Sequence, residues 1–229
     1  MSYQPPFQLT HTMMRHVAYI GELIGLWKAA NQNKLVPELR RGNRIKTIQA
    51  SLAVEQNTLT LEQVTAVIEG KAVLGLPKEI QEVRNAFAAY EVMELWHPHH
   101  IEDLLAAHAL LLHGLIDDAG HWRSKGAGIY RGEQLVHMAP PVSQIARLMA
   151  DLFDWLSHTD AHPLIASAAF HYEFEFIHPF GDGNGRMGRL WQTLILSHWQ
   201  PMLAFLPVET VIKHRQQTYY QLLTESDQK

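Results

Sequence analysis

Apolar side chains recur every three or four residues along most of this chain, a spacing that is typical of helices buried on one face. The first such stretch covers residues 9–30, where Met13, Val17, Ile20 and Ile24 fall on one side. Proline and glycine punctuate the later stretches, as expected at helix ends. The pattern therefore predicts a mainly helical protein.

The same periodicity predicts eight further helices. They cover residues 43–54, 61–69, 77–96, 101–115, 142–156, 163–176, 185–199 and 211–224. Thr60, followed three residues later by Gln63, predicts a capping box at the start of the second of these. The segment from Tyr130 to Gln134 resembles a short β-hairpin with Gly132 in its turn. The predicted fold class is all-α, a helical bundle with one short β-hairpin.

The loop at residues 178–189, HPFGDGNGRMGR, carries the strongest chemical pattern of the chain. Glycines ahead of a helix let backbone N–H groups converge on an anion, and the helix N-terminus adds partial positive charge. Arg186 and Arg189 lie three residues apart and share a face of the first turn. Asp182 suits Mg²⁺ on phosphates, and His178 suits proton transfer from a hydroxyl. The loop therefore predicts a polyphosphate site beside a general base.

A plainer interpretation of this loop is a turn, because Gly, Asn and Asp are common turn residues. The P-loop pattern G-x-x-x-x-G-K-[ST] is also absent from it. The joint presence of a histidine, an aspartate, an asparagine and two arginines within a dozen residues favours the phosphate site.

The segment at residues 178–189 resembles the signature of the Fic family, HPFx[D/E]GNGRxxR, and matches every specified position. Two other segments are similar to parts of the same family. Residues 128–141 resemble its substrate-docking flap, and residues 44–60 resemble its inhibitory helix, [S/T]xxxE[G/N]. The resemblance extends over nearly the whole chain and implies the helical Fic fold.

The resemblance implies a protein adenylyltransferase, which moves AMP from ATP to a Ser, Thr or Tyr hydroxyl of a target protein or of itself. By this resemblance His178 is the general base and Asp182 ligates Mg²⁺. Five residues are implied to hold the ATP phosphates: Gly183, Asn184, Gly185, Arg186 and Arg189. Asn184 would add a side-chain donor, and Phe180 would anchor the loop in the core.

Ser51 and Glu55 lie four residues apart and therefore share one face of a helix. On the residues alone they are ordinary polar positions of a half-buried helix. The resemblance implies instead that Glu55 reaches Arg189 and blocks the γ-phosphate, because an arginine–carboxylate pair competes with an arginine–phosphate pair. Gln56 departs from the Gly or Asn of the family pattern, but the contact is still expected to form, because Glu55 carries the charge.

The residues that resemble the docking flap are Gly128, Tyr130, Arg131, Val136 and His137. A hairpin on a helical protein can also simply close off the core. The resemblance favours docking, in which a target segment pairs with the hairpin edge and presents its hydroxyl to His178. Tyr220 lies in a segment similar to the helix that encloses adenine, and it is implied to bind ATP.

Composition narrows the range of partners. The chain has 229 residues, 47% of them hydrophobic, a formal net charge of −4 and no cysteine. Without a basic patch, nucleic acid is not expected as a partner. No apolar run approaches the roughly 18 residues of a membrane span, and the N-terminus does not resemble a signal peptide. A cytoplasmic enzyme acting on target proteins is expected, and the resemblance also allows self-association.

Histidines are frequent in and just before the helix predicted at residues 101–115. They are His97, His99, His100, His108 and His113. Structural zinc usually takes cysteines at fixed spacing or histidines one helical turn apart. His97, His99 and His100 lie at a predicted helix junction, where the simplest interpretation is solvated turn histidines.

Residues 1–95 are expected to form an N-terminal helical region with the inhibitory helix, and residues 96–229 the catalytic core. Members of the family usually continue further, so the usual C-terminal extension is expected to be lacking. Three alternatives to AMP transfer stay open. These are AMP removal at the same site with Glu55 orienting water, transfer of another phosphate-containing group, and a non-catalytic nucleotide-binding regulatory module.

Overall fold

The computed structural model describes residues 3–31, 37–131 and 134–226, without the side chains of residues 31, 130, 131, 134 and 136. The described part contains ten α-helices and one antiparallel β-hairpin. The helices are α1 (His11–Asn31), α2 (Pro37–Val54), α3 (Leu61–Ile68), α4 (Pro77–Val92), α5 (Ile101–Leu111), α6 (Val142–His158), α7 (Pro163–Ile177), α8 (Asn184–Trp199), α9 (Val208–His214) and α10 (Gln216–Ser226). The strands are β1 (Gly128–Arg131) and β2 (Gln134–Met138), and two 3₁₀ turns cover Met93–Leu95 and Pro201–Phe205. The all-α prediction is confirmed.

The residues at the starts of α2 and α3 are of types that favour the first turn of a helix. Helix α2 begins at Pro37 rather than at residue 43, because proline's fixed φ suits the first helical position, where no N–H is needed. The capping box of α3 is confirmed. Thr60 Oγ1 accepts the Gln63 N–H at 3.2 Å, and Gln63 Oε1 accepts the Thr60 N–H at 2.9 Å.

Two predicted helices end differently in the structure. Helix α5 stops at Leu111 rather than at residue 115, and Gly114 then takes a left-handed φ of +69°. The single helix predicted over residues 211–224 is wrong. The chain breaks at Arg215, whose φ is −118° and whose N–H is shared between the carbonyls of Val211 and Ile212, so that α9 and α10 are separate. The apolar spacing runs through this break, which is why periodicity did not reveal it.

The core lies around α7 and α8, which pack against each other. Its largest fully buried side chains include the aromatic rings of Phe170, Phe174, Phe180 and Trp191. The Trp191 indole N–H also donates to the Pro98 carbonyl at 3.1 Å and so ties α8 to the segment before α5. The loop that joins α7 to α8 is anchored in this core by the fully buried ring of Phe180.

Candidate active site

The loop between α7 and α8 contains two residues with a left-handed backbone conformation. His178 caps α7 with φ +50°, and Gly183 precedes α8 with φ +82°. Glycine adopts this conformation readily. A Cβ at Gly183 would in addition come within 2.6 Å of the Leu112 side chain. The loop therefore requires glycine at residue 183 and fixes the start of α8, whose first N–H groups have no partner within the helix.

Asn184 closes the loop on itself. Its Oδ1 accepts the Phe180 N–H at 3.0 Å, and its Nδ2 donates to the Phe180 carbonyl at 2.9 Å. The residue is only 2% exposed. The side-chain amide that sequence analysis assigned to phosphate thus shapes the loop in this structure. Phe180 is fully buried, as an anchoring role requires.

His108, on α5, supports the loop through a ring contact and hydrogen bonds. Its ring stacks on Phe180 with centroids 3.7 Å apart and planes 4° apart. The Gly120 N–H donates to Nδ1 at 2.8 Å, so the ring proton lies on Nε2 and is donated to the Asp182 carbonyl at 3.0 Å. Burial lowers the pKa of His108, which favours this neutral form. His108 is fully buried, a placement that sequence analysis did not predict.

Arg123 is a second brace that sequence analysis missed. The residue is 3% exposed and donates to four backbone carbonyls, of which that of Ile177 is the most distant at 3.5 Å. Its Nε donates to the His178 carbonyl at 2.8 Å, and its terminal nitrogens donate to those of Lys125 and Pro140. Its own N–H donates to the Pro179 carbonyl at 2.9 Å. Arg123 therefore fixes the backbone on which the candidate base stands.

The His178 ring lies in the wall of a cleft that Glu55 and Arg189 also line. Burial lowers the pKa of His178 to about 4, and the nearby Arg123 and His137 act in the same direction. The imidazole is therefore neutral at physiological pH. A neutral imidazole is the form that can accept a proton.

Asp182 and Arg186 form an ion pair across the first turn of α8. Arg186 donates to Asp182 Oδ1 at 3.0 Å, and its other terminal nitrogen lies 3.4 Å from Glu82 Oε1 on α4. Arg186 is buried, whereas the Asp182 side chain is 45% exposed. Asp182 also accepts the Gly183 N–H on the same Oδ1. Among the described residues these contacts all use one oxygen, so Oδ2 is open to a cation.

Arg189 is bound by the end of α2. Its Nε donates to Ser51 Oγ at 3.1 Å, and one terminal nitrogen donates to the Ser51 carbonyl at 3.0 Å and to Glu55 Oε1 at 2.7 Å. The arginine side chain is 1% exposed and that of Glu55 34%. The structure thus brings together the three residues that sequence analysis related to one another. Gly185 permits this approach, because a Cβ there would overlap Glu55 Oε1.

Gln56, the departure from the family pattern, has a left-handed φ of +69°. It lies just beyond α2, at the position where helices often end in a left-handed residue. The Asn57 N–H returns to the Leu52 carbonyl at 3.1 Å, as in a Schellman motif. Glycine and asparagine adopt this conformation most easily, whereas glutamine is strained in it. The ion pair between Glu55 and Arg189 is formed nonetheless.

Glu175 is a further acidic group of the cleft that sequence analysis missed. Its Oε1 is inaccessible to solvent and has no hydrogen-bond partner among the described residues. Burial raises the pKa of Glu175 to about 7; Arg189 opposes this effect and Glu55 adds to it. A Cβ at Gly188 would lie 2.6 Å from this carboxylate, so the glycine admits Glu175 against α8. The apolar neighbours of Glu175 in the sequence gave no sign of this placement.

The cleft continues from the loop to α10 and the hairpin. Its apolar walls include Ile129, Tyr172, Phe176, Tyr219 and Leu223. Tyr220 lines it as well, as does His137. The cleft therefore joins a charged end, with His178, Glu55 and Arg189, to an aromatic end.

The hairpin lies next to this cleft. Strand β1 pairs with β2 in antiparallel register, with Gly128 opposite Met138 and a bulge after Ile129. A His137 ring nitrogen lies 2.8 Å from the Phe176 carbonyl, which ties the hairpin to α7. The side chains of Tyr130, Arg131 and Val136 and the whole of Gly132 lie outside the described residues. Ile129 and His137 of the hairpin line the cleft, and docking of a target segment there stays a prediction.

Two of the other histidines meet an aspartate at the start of α5. The Nδ1 atoms of His97 and His100 lie 3.3 and 3.7 Å from Asp103 Oδ2, and both rings are exposed. This group lies apart from the cleft. Its carboxylate lies in the first turn of α5, where the helix dipole favours a negative charge.

Comparisons with known proteins agree on one family. The model of the Fic/DOC family matches residues 98–196. A crystal structure of a Fic family protein from Desulfovibrio desulfuricans G20 is 65% identical, with a TM-score of 0.95, over 99% of this chain and 70% of that one. Fic-1 from Caenorhabditis elegans, at 22% identity and a TM-score of 0.61, shares the fold.

Curated relatives are named protein adenylyltransferases. Protein adenylyltransferase Fic of Nematostella vectensis is 29% identical over 79% of this chain, and protein adenylyltransferase fic-1 of Caenorhabditis briggsae is 34% identical over 70%. The chain spans 42% and 33% of the lengths of these two relatives. Within the described residues, no helix is long and apolar enough to cross a membrane.

Proposed function

This chain belongs to the Fic/DOC family, and on that basis we propose that it is a restrained protein adenylyltransferase. The observation that carries the proposal is the placement of His178 and the α8 N-terminus in one cleft with Arg189, which is held by Glu55. This arrangement supplies a general base, an anion site and an arginine for which a carboxylate and a phosphate would compete. The names of the curated relatives support the same activity.

The phosphates of ATP would bind at the first turn of α8. The backbone N–H groups there lack helical partners, and the helix dipole favours negative charge at this end. Gly183 and Gly185 carry no side chain that would block the approach of a phosphate. Arg186 and Arg189 would contact the β- and γ-phosphates through charge-assisted hydrogen bonds, once their carboxylate partners give way.

His178 would act as the general base. Its neutral imidazole takes the proton from a target hydroxyl, whose oxygen forms a bond to the α-phosphorus of ATP. The bond between the α- and β-phosphates breaks, and pyrophosphate leaves. The braces from Arg123 and His108 keep the loop backbone in place during this step.

Asp182 fits a Mg²⁺ ion, because its carboxylate is half-exposed and has one oxygen open. Mg²⁺ commonly binds to one or two carboxylates together with substrate phosphates and waters. Its charge would offset that of the triphosphate.

Glu55 would restrain the reaction by occupying Arg189. The Glu55 carboxylate occupies the guanidinium nitrogen of Arg189 that a γ-phosphate would need. The enzyme would be active when the end of α2 moves and Glu55 releases Arg189.

The substrate would be a segment of a target protein, or of another copy of this chain, that pairs with the hairpin edge. Antiparallel strand addition gives affinity through main-chain hydrogen bonds and can hold a side chain at a fixed point. The hairpin lies beside the cleft that contains His178, which supports this docking mode.

AMP removal at the same site is a second candidate, favoured by one observation. The carboxylate of Glu55 lines the same cleft as His178, where it could orient a water molecule. Loss of label from the purified AMP-modified protein, with wild type faster than Glu55→Gly, would identify this reaction.

Incubation with Mg²⁺ and ATP that carries a radioactive α-phosphate tests the main proposal. Wild type, His178→Ala and Glu55→Gly are compared, with added lysate proteins as acceptors. We expect more protein-bound label with Glu55→Gly than with wild type, and none with His178→Ala. ATP binding without transfer in any variant would instead indicate a nucleotide-binding regulatory module.

A further inference from the structure

The C-terminal end of α2, which carries the Glu55 restraint, is capped from outside the helix. The last four carbonyls of any helix lack helical partners. Here the Leu52 and Ala53 carbonyls accept the N–H groups of Asn57 and Gln56 that follow directly. The other two, at Ser51 and Val54, are bonded by different elements.

The Ser51 carbonyl is bonded by Arg189 on α8, at 3.0 Å. The Val54 carbonyl is bonded by α10. It accepts a hydrogen bond from Gln216 Nε2 at 2.9 Å, and the Tyr220 hydroxyl lies 3.4 Å away. Val54 is the residue just before Glu55, so α10 holds the backbone from which the restraint extends.

Helix α10 is positioned by few contacts. None of its side chains is fully buried. The Tyr219 hydroxyl lies 2.8 Å from Nε2 of His171 and links α10 to α7. The contacts to Val54 link α10 to α2. At the same time Tyr219, Tyr220 and Leu223 line the candidate nucleotide cleft. One lightly held helix therefore contacts both the cleft and the restraint.

The end of α2 also needs this support. Gln56 has a φ of +69°, a conformation that costs a residue with a side chain more than it costs glycine. Glu55 itself is bonded to the protein through Arg189. The bond from Gln216 to Val54 adds to the contacts of Arg189 with Ser51 and Glu55 and to the backbone hydrogen bonds that follow the helix.

We propose that Gln216 is a positioning residue for the restraint: it caps the Val54 carbonyl and thereby holds Glu55 on Arg189. This inference rests on the proposed adenylyl transfer for its activity test. A neutral hydrogen bond of ordinary net strength corresponds to about a fivefold change in an equilibrium constant. Removal of the Gln216 amide should shift the Glu55 restraint towards its open state by about that factor.

Gln216→Ala is compared with Gln221→Ala as a matched control. Gln221 is a glutamine of the same helix whose amide donates to Glu225, also on α10. We expect Gln216→Ala to incorporate about five times more α-phosphate label than wild type, and Gln221→Ala to equal wild type. In a Glu55→Gly background, Gln216→Ala should have no effect, because the restraint is already absent. No increase with Gln216→Ala, or the same increase in both backgrounds, would overturn the proposal.

Amide hydrogen exchange gives a readout that does not depend on catalysis. The N–H groups of Glu55, Gln56 and Asn57 bond carbonyls at the end of α2, so their exchange reports whether this end is formed. Gln216→Ala should raise their exchange rates about fivefold, and Gln221→Ala should not. If Glu55→Gly takes up no label, the proposed function fails, and exchange alone decides on Gln216. Unchanged exchange with Gln216→Ala would overturn the positioning role.

Discussion

The two halves of the loop at residues 178–189 are held in opposite ways. The first half, from His178 to Asn184, is braced by groups that no phosphate would need to displace, including Arg123 and His108. The second half carries Arg186 and Arg189, and both guanidiniums are already paired with carboxylates. A phosphate would therefore displace no brace of the first half, whereas at either arginine it must displace a carboxylate.

This difference separates preorganisation from restraint. Braces that stay in place keep catalytic groups near their working geometry at no further cost. Carboxylates that occupy arginines must be exchanged for phosphate, so they set how much of the protein is ready to react. The first half should therefore determine the rate of the open state, and the second half the population of that state.

The largest expected effect comes from the base. His178→Ala, made in the Glu55→Gly background, should lower the rate of label transfer by about 10²–10⁴-fold, the usual contribution of a general base. Initial rates with α-phosphate-labelled ATP measure it, with the exposed His158→Ala as control. ATP affinity should stay within about twofold. A comparable loss of ATP affinity would place His178 in binding rather than in proton transfer.

Acid should weaken the first half of the loop. The pKa of His178 is about 4 in the folded protein, below the usual 6.5, so its stabilising contribution is full above pH 6.5 and is lost as the pH falls through 4. The shift corresponds to about 3 kcal/mol of unfolding free energy. Urea unfolding between pH 7 and 4 should show a smaller decline for His178→Ala than for wild type. Parallel curves for the two proteins would contradict the burial of a neutral imidazole.

Removal of the restraint should act on phosphate binding alone. A hydrogen bond between charged groups contributes about 1.5–3 kcal/mol, so Glu55→Gly should tighten ATP binding by about ten- to a hundredfold. AMP, which lacks the β- and γ-phosphates, should bind both proteins equally. Calorimetric titration measures both affinities, and Glu82→Gln, which loosens the longer contact to Arg186, should have the smaller effect. An equal gain for AMP would show that Glu55 blocks the cleft without competing for Arg189.

The smallest effect concerns Gln56. Gln56→Gly should relieve the left-handed strain and raise the unfolding free energy by about 1 kcal/mol. It should also lower the basal label of wild type, because the end of α2 becomes more stable. Gly70→Gln is the matched reverse change, since Gly70 follows α3 with φ +73°. Gly70→Gln should lower the unfolding free energy, because it places glutamine in the same conformation. If Gln56→Gly lowers the unfolding free energy as well, residue 56 is not strained.

The sequence was sufficient for the motif and for most helices, and insufficient for the braces. The chemistry of residues 178–189 is local, so residue types and spacing predict it. His108 lies on the apolar face of α5 among buried leucines, which was a sign of burial, but its partners lie more than ten residues away. Arg123 has no periodic context, and its acceptors are backbone carbonyls that only the folded chain brings together. Glu175 and the break at Arg215 depend on tertiary packing in the same way.

The position of the label on ATP tests the central claim most directly. Glu55→Gly is incubated with Mg²⁺ and ATP carrying radioactivity at either the α- or the γ-phosphate, and protein-bound label is counted. A restrained adenylyltransferase predicts strong labelling from the α-phosphate, none from the γ-phosphate, and much weaker labelling of wild type. Labelling from the γ-phosphate, or equal α-labelling of wild type and variant, would contradict it.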